Sequence, residues 1–196
     1  MNKLTWKGGT LLAPVPPALV SCGSMEKPNV LTVAWTGILC SDPPKTYVSI
    51  RPSRYSHGLI KETGEFVINL PTAELAKAAD YCGVHSGRNK DKFAAMGLSA
   101  QACSQVLAPQ IEQSPISLEC RVCDCISLGS HDMFIADILA VNVAEDLVDE
   151  GGKLHLECMK PIAYAHGDYY MLGKQLGSFG FSVRKKHKHQ KDLKKR

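Results

Sequence analysis

Short apolar runs separated by Gly, Pro, Ser and Asp dominate the chain, and this spacing favours strands over long helices. One long antiparallel pair is predicted where two extended apolar segments flank a Gly-Ser-His turn. Residues 36–44, TGILCSDPP, carry turn-forming residue types and are predicted to form a loop. The predicted strands are residues 30–35, 46–50, 65–70, 117–129 and 132–143.

The predicted helices are short, and each lies between strands. Ser53 or Ser56 is expected to cap the first helix and Gly64 to end it, while Thr72 is expected to cap the second. The three predicted helices are residues 56–64, 72–83 and 89–97.

The order of these elements predicts a mainly β fold. Long helices do not alternate with the strands, as a doubly wound α/β sheet would require. The segment MFIADILAV is apolar on both faces, which fits a closed or dimer-packed barrel better than an open sheet. We therefore expect one β-barrel domain with a few short helices, and no transmembrane helix because no run of about 18 apolar residues occurs.

Charge is distributed unevenly along the 196 residues. The net charge of +4 comes from the C-terminal segment 183–196, which holds eight Lys or Arg residues and one Asp. The rest of the chain is mildly acidic, so a nucleic-acid footprint over the whole surface is not expected. The tail is predicted to be disordered and solubilising, with contact to nucleic acid or an acidic partner as the alternative.

Eight cysteines are present in a chain that is large enough to build an apolar core without disulfides. They are predicted to be reduced, which indicates a cytoplasmic protein. Cys120, Cys123 and Cys125 form a C-x2-C-x-C pattern, but alternation along a strand places Cys120 on the face opposite the other two. We therefore predict packed core thiols and no metal site.

The segment SIRPSRYSHG, residues 49–58, concentrates donors between a strand and a helix. Unpaired N–H groups at a helix N-terminus favour an anion, and Arg51 and Arg54 would add charge-assisted hydrogen bonds to a phosphate. The alternative is an ordinary helix cap with two surface arginines.

Four segments resemble the flavin reductase-like FMN-binding proteins, in particular their flavoredoxin branch. The resemblance implies a split-barrel fold, which is an antiparallel Greek-key barrel, over residues 1–182, with the basic tail at 183–196. It also implies a homodimer with FMN near the interface. The segments are NVLTVAWTGILCSDPPKTYVSIRPSRYSHGLIKETGEFVINLP (29–71), DYCGVHSGRNKDKF (80–93), GSHDMFIADILAV (129–141) and YAHGDYYMLGK (164–174).

The same resemblance implies a set of cofactor-binding residues. The segment expected along the isoalloxazine ring comprises Ala34, Trp35, Thr36, Gly37 and Ile38, with Cys40 and Ser41 close by. The turn expected to hold the FMN phosphate comprises Arg51, Ser53, Arg54, Tyr55 and Ser56. The loop expected to come near the flavin contributes Ser86, Gly87 and Lys92.

Two histidines are candidates for the side of the flavin that a nicotinamide would approach. His131 matches part of a Gly-Asp-His pattern of the related NADH:flavin reductases, although Ser130 replaces the acid and Asp132 follows instead. His166 lies in AHGDYY and is a second candidate at the flavin edge. For both residues the alternative is a histidine in a turn between strands.

No GxGxxG segment follows a strand, and no GxxxxGK[ST] motif occurs, so neither a Rossmann domain nor a P-loop is expected. The predicted function is an FMN-dependent oxidoreductase that uses NADH or NADPH as a transient co-substrate. An FMN-binding electron carrier or flavin-storage protein without nicotinamide activity is the alternative. A nucleic-acid-associated module acting through the tail is a third reading.

Overall fold

The computed structural model describes residues 1–184. Most of the protein is β-structure, and its helices are short. The strands are β1 (Ala18–Gly23), β2 (Pro28–Val33), β3 (Thr36–Ser41), β4 (Pro44–Ile50), β5 (Glu65–Asn69), β6 (Ala100–Gln101), β7 (Gln110–Ile111), β8 (Ile116–Ser127), β9 (Asp132–Val143), β10 (Ile162–Ala165) and β11 (Asp168–Met171). The α-helices are α1 (Tyr55–Thr63), α2 (Ala76–Val84) and α3 (Lys92–Met96), and single 3-10 turns span Glu145–Leu147, Leu156–Met159 and Phe181–Val183.

Seven strands form one antiparallel sheet in the order β2-β1-β5-β8-β9-β4-β3. The sheet curls, because the chain leaving β2 returns to β4. There the N–H of Ser49 donates to the carbonyl of Trp35 at 2.9 Å. The two short pairs β6-β7 and β10-β11 lie outside this sheet. The predicted β8-β9 pair is confirmed, and so is a mainly β fold of antiparallel strands with a few short helices.

The main core lies inside the curl of the sheet. Val20, Val48, Phe66 and Phe134 come from four different strands and are at most 1% exposed. Ile60 of α1 is also fully buried there, so α1 packs against the barrel. A second cluster of α2 and α3 side chains packs on the opposite face of β1 and β2, which fixes the loop between these helices beside the sheet.

Helix boundaries differ from the predictions at their N-termini. Neither Ser53 nor Ser56 caps α1, whose N-cap residue is Arg54 and makes no side-chain capping bond, whereas Gly64 ends the helix with a φ of 70° as predicted. Thr72 Oγ accepts from the N–H of Leu75 at 3.4 Å, so it caps a turn that precedes α2. The third helix begins at Lys92, where the Asp91 carboxylate accepts from the N–H of Ala94.

Several strands were not predicted, and one predicted loop is a strand. Strand β1 was missed, although it is an interior strand that pairs with β2 and β5, and so were the short strands β6, β7, β10 and β11. Residues 36–44 are not a loop, because Thr36–Ser41 forms β3 and pairs with β4. The outer half of β3 is exposed on both faces, so its sequence lacks the alternation by which a strand is recognised.

The prediction of packed core thiols holds for Cys120, which is fully buried, but it was wrong for Cys123 and Cys125, which are exposed. A register shift between Val122 and Asp124 interrupts the alternation, and this end of β8 extends beyond the core. Within residues 1–184 no group of three or more His, Cys, Asp or Glu side chains is arranged to hold a metal.

None of the helices within the described part of the chain has the length and apolar character needed to cross a membrane. The predicted basic tail begins at residue 183, and its residues 185–196 lie outside the described residues.

Candidate functional site

A groove of about 340 Å³ opens at one end of the barrel, where β2 and β4 end and the β8-β9 turn begins. Its lining combines aromatic and aliphatic side chains with polar ones, among them Arg51, Arg54 and Asp80. Of the aromatic residues, Trp35 follows β2, while Tyr164 and Tyr169 come from the β10-β11 hairpin. The two tyrosine rings meet edge to face with centroids 5.3 Å apart, which fixes the side of the groove. Such a surface suits a flat ring system.

Trp35 and His131 face each other across this end of the groove. Their ring planes are 6° from parallel and their centroids are 6.3 Å apart. Partial burial lowers the pKa of His131, and the positive charge of nearby Arg51 lowers it further. His131 is therefore favoured in its neutral form, in which the ring can donate or accept a hydrogen bond.

A second cavity of about 370 Å³ lies next to the groove and is strongly cationic. It is formed by the turn between β4 and α1 and by the loop between α2 and α3. No carboxylate lines it. Its polar lining consists of Arg51, Ser53, Arg54, Tyr55, Ser56, His85, Ser86, Gly87, Arg88 and Lys92.

Three of the four cations in this cavity are held by backbone carbonyls. Arg54 donates to the carbonyl of Gly83 at 2.6 Å, and Arg88 donates to that of Ser53 at 3.3 Å. Lys92, only 4% exposed, donates to the carbonyls of Cys82 and His85 near the C-terminal end of α2. None of the four cations forms an ion pair within residues 1–184.

The electrostatics of Lys92 follow from this burial. Burial lowers the pKa of the ammonium group, and the positive charge of Arg54 contributes in the same direction. A buried ammonium without a carboxylate is costly, and an anion in the cavity would supply the missing countercharge.

Gly87 allows the α2-α3 loop to approach the barrel closely. A β-carbon at this position would lie 2.0 Å from Asn29 Oδ1 and 2.8 Å from the ring of Tyr55, closer than real atoms pack. The amide of Asn29 donates to Ser56 Oγ at 2.6 Å. Ser56 is only 2% exposed, and its side chain also lies within hydrogen-bonding reach of the Cys22 thiol.

Arg51, Arg54 and Leu31 line both the groove and the cationic cavity, so the two spaces adjoin. A ligand that carries a flat apolar ring at one end and an anion at the other fits this arrangement. The residues present therefore match the chemistry of a flavin mononucleotide.

The structure brings together most of the predicted site residues. All eight candidates from the β4-α1 turn and the α2-α3 loop line the cationic cavity, while Ala34, Trp35 and His131 line the groove. Four others lie on β3 outside both spaces: Gly37, Ile38, Cys40 and Ser41. Thr36 and His166 line a separate cavity on the other side of Trp35.

Sequence reasoning did not select several residues that the structure places at the site. Arg88 stands directly after the selected Ser86 and Gly87, so its charge was a usable signal. Tyr164 and Tyr169 flank His166 in the segment YAHGDYY. Asn29 carried no signal, because only the fold brings it against Gly87 and Ser56.

Comparison with known proteins agrees with this geometry. The FMN-binding protein from Thermus thermophilus is 26% identical, with a TM-score of 0.76 over 91% of this chain and 99% of its own. The NADPH-flavin oxidoreductase of Streptomyces viridifaciens is 28% identical over 153 residues, covering 76% of this chain and 78% of that protein. The fold and the site thus define a flavoprotein of the split-barrel class.

Similarity to a flavoredoxin and a match to a family model identify the family of this chain. The flavoredoxin of Desulfovibrio vulgaris (Miyazaki F) is 32% identical and superposes with a TM-score of 0.86, covering 93% of this chain and 100% of its own. Residues 11–173 match the flavin reductase like domain, and the chain belongs to that family.

Proposed function

We propose that the protein binds FMN as a prosthetic group and is an oxidoreductase that takes a hydride from NADH or NADPH. The observation that carries this proposal is the groove that adjoins a cationic cavity through Arg51 and Arg54. The groove accommodates a tricyclic ring, and the cationic cavity accommodates a phosphate. The family to which the chain belongs supports the same ligand.

The phosphate is held by the β4-α1 turn and the α2-α3 loop. The guanidinium of Arg51 lines the cavity and makes no hydrogen bond within residues 1–184, so it can form a charge-assisted pair of bonds. The hydroxyls of Ser53, Ser56 and Ser86 and the ammonium of Lys92 complete the set of donors. Their convergence from two segments favours a ligand over an ordinary helix cap.

The ring system lies along Ala34 and Trp35. A bound flavin supplies the redox chemistry, because it accepts a hydride and passes the electrons on. Thr36, Gly37 and Ile38 lie outside the groove, so no role at the ring is assigned to their backbone N–H groups.

Nicotinamide binds transiently, since the sequence carries no dinucleotide-binding fingerprint. His131 faces Trp35 at the open end of the groove and orients the incoming ring. In its neutral form the imidazole does not repel the cationic nicotinamide of the oxidised product.

An electron carrier that receives no hydride from nicotinamide is the second candidate. The similarity to a flavoredoxin over nearly the whole chain favours it, since the same site can serve a protein partner that delivers electrons.

We also place the flavin near the interface of a homodimer. Strand β3 is an edge strand, and its Ile38 and Leu39 are 67% and 47% exposed. Exposed apolar side chains on an edge strand favour pairing with a second copy. All eight cysteines are free, which is typical of a reducing compartment, so we place the dimer in the cytoplasm.

The experiment that tests the function is a visible absorption spectrum of the purified protein, recorded anaerobically before and after NADH and then NADPH. Bleaching of a bound flavin spectrum by either nucleotide is expected and identifies the donor. A flavin spectrum that only dithionite bleaches would select the electron carrier. A colourless protein that takes up no added FMN contradicts both candidates.

A further inference from the structure

A further cavity of about 620 Å³, distinct from the cationic cavity, lies on the other side of Trp35 from the flavin groove. The N-terminal segment 10–16 forms one wall, and Trp35, Tyr47 and Tyr164 form the others. None of its lining residues is Asp, Glu, Lys or Arg. A charged ligand would lose its hydration here without gaining a partner, so the cavity selects an uncharged and largely apolar molecule.

The cavity shares a wall with the flavin groove. Ala34, Trp35, Tyr164 and Gly167 line both spaces. A ligand in this cavity therefore lies one layer of side chains from the ring system that the groove accommodates. This closeness suits a molecule that exchanges electrons with the flavin.

The wall is built by specific backbone bonds. Val15 and Tyr164 exchange two N–H to carbonyl hydrogen bonds, both 2.9 Å, which attach the N-terminal segment to β10. At the mouth of the cavity His166 has a φ of 50° in a turn completed by Gly167. A histidine in this left-handed conformation is uncommon and places an imidazole where Asn or Gly would be less strained.

We propose that this cavity binds a flat, uncharged aromatic electron acceptor of the quinone type. The aromatic rings pack against the acceptor, and the imidazole of His166 and the tyrosine hydroxyls can donate to its carbonyl oxygens. The proposal rests on the proposed function, because the electrons come from flavin that NADH or NADPH has reduced. The quinone takes up two electrons, and with two protons from the flavin and water it becomes the hydroquinone.

The test is equilibrium dialysis of 2-methyl-1,4-naphthoquinone against the FMN-loaded protein. Leu11 lines the cavity, does not line the flavin groove and is 55% exposed, so Leu11→Glu places a charge in the wall with little effect on folding. Leu107→Glu is the matched control, because Leu107 is 81% exposed and lines neither space.

We expect quinone to bind the wild type and the control alike, and Leu11→Glu to raise its Kd by about tenfold or more, with FMN content unchanged. Reoxidation of the reduced protein by the quinone should slow in the same variant, whereas reoxidation by ferricyanide should not. Equal quinone affinity in all three proteins overturns the proposal.

Two further outcomes also overturn it. If the quinone binds only when FMN is removed, it occupies the flavin groove. If Leu11→Glu leaves quinone affinity unchanged and alters the oligomeric state on size-exclusion chromatography, a second copy of the chain covers the cavity. A failure of the proposed function is distinct from these, because the wild type would then retain no FMN or would not be reduced by either nucleotide.

Discussion

The carboxylate of Asp132 lies 2.8 Å from the imidazole of His57, and both side chains are largely buried. The pair joins the turn that carries His131 to helix α1, whose first residues line the cationic cavity. His57 also packs edge to face on Phe134 with ring centroids 5.1 Å apart, so the bond is supported by the core. The pair thus connects the turn that borders the groove to the helix that borders the cationic cavity.

Asp132→Asn should lower the thermal stability at neutral pH. The hydrogen bond from His57 lowers the pKa of the Asp132 carboxyl below its ordinary value of 3.8. A carboxyl whose pKa is depressed by folding contributes stability above its ordinary pKa, and the contribution is lost as the pH falls through the folded value. The difference in Tm between wild type and variant should therefore be present at pH 7 and vanish in strong acid, which a series of melting curves measures. A difference that is the same at every pH contradicts the ionic contribution.

Gly87→Ala should weaken FMN binding by about tenfold or more, because the added methyl group would overlap Asn29 and Tyr55 and push the α2-α3 loop away from the β4-α1 turn. Gly58→Ala is the matched control. Gly58 lies within α1 with open space around the position of a β-carbon. This variant should retain FMN affinity and gain up to about 1 kcal/mol of stability from the higher helix propensity of alanine. FMN titrations measure the affinity of both variants, and melting curves measure their stability. Equal FMN affinity in the two variants would show that the close approach of the α2-α3 loop at Gly87 is not needed for binding.

Arg51→Ala combined with Ser53→Ala should reduce FMN affinity by more than about tenfold, or 1.4 kcal/mol. The double variant removes a guanidinium and a hydroxyl that line the cationic cavity. Riboflavin, which lacks the phosphate, should bind wild type and variant with similar affinity. Arg184→Ala serves as the control, since Arg184 donates to Ser178 Oγ on the surface and lines neither the groove nor the cationic cavity. If riboflavin loses as much affinity as FMN, the cationic cavity does not hold the phosphate.

Proton uptake on FMN binding should report a rise in the pKa of the Lys92 ammonium group. Burial lowers the pKa of its ammonium group, and a bound phosphate would raise that pKa again. At alkaline pH, below the ordinary value of 10.5, binding should therefore be accompanied by uptake of protons. Calorimetric titrations in two buffers of different ionisation enthalpy measure this uptake, and Lys92→Met should abolish it. Uptake that persists in the variant would assign the effect to another group.

Ile38→Lys should shift the protein toward a monomer, because it places a charge on the exposed edge strand β3. Light scattering coupled to size-exclusion chromatography measures the change. Leu107→Lys is the control, since Leu107 is more exposed but lies away from β3. A monomeric wild type, or a dimer unaffected by the change at Ile38, rules out this interface.

The sequence was informative where local chemistry decides the structure. Strands β8 and β9 could be predicted because their apolar residues extend over long segments around a glycine-containing turn. The wall of the cationic cavity formed by the β4-α1 turn could be anticipated because Arg51, Arg54 and the neighbouring serines lie close together in the sequence. Strand β1 could not, since its buried Ser21 is satisfied by distant partners: its hydroxyl donates to the carbonyl of Pro109 and accepts from the amide of Asn69.

The features that could not be predicted depend on contacts between segments that are far apart in the sequence. Gly87 lies against Asn29, which is far from it in the chain, and neither local sequence indicates this contact. Likewise, the cavity behind Trp35 exists because Val15 pairs with Tyr164. Val15 lies outside the recognised segments, and nothing in the sequence around Tyr164 points to it, so the pairing is visible only in three dimensions.

The four cations around the cationic cavity affect how long the protein survives in the cell. They face a common space that no carboxylate lines, so they repel one another until an anion enters. A ligand that binds only the folded chain stabilises it by mass action. We therefore expect newly made chains to depend on flavin supply for their survival against proteolysis, so that scarcity of the vitamin precursor would limit the amount of the protein as well as its activity.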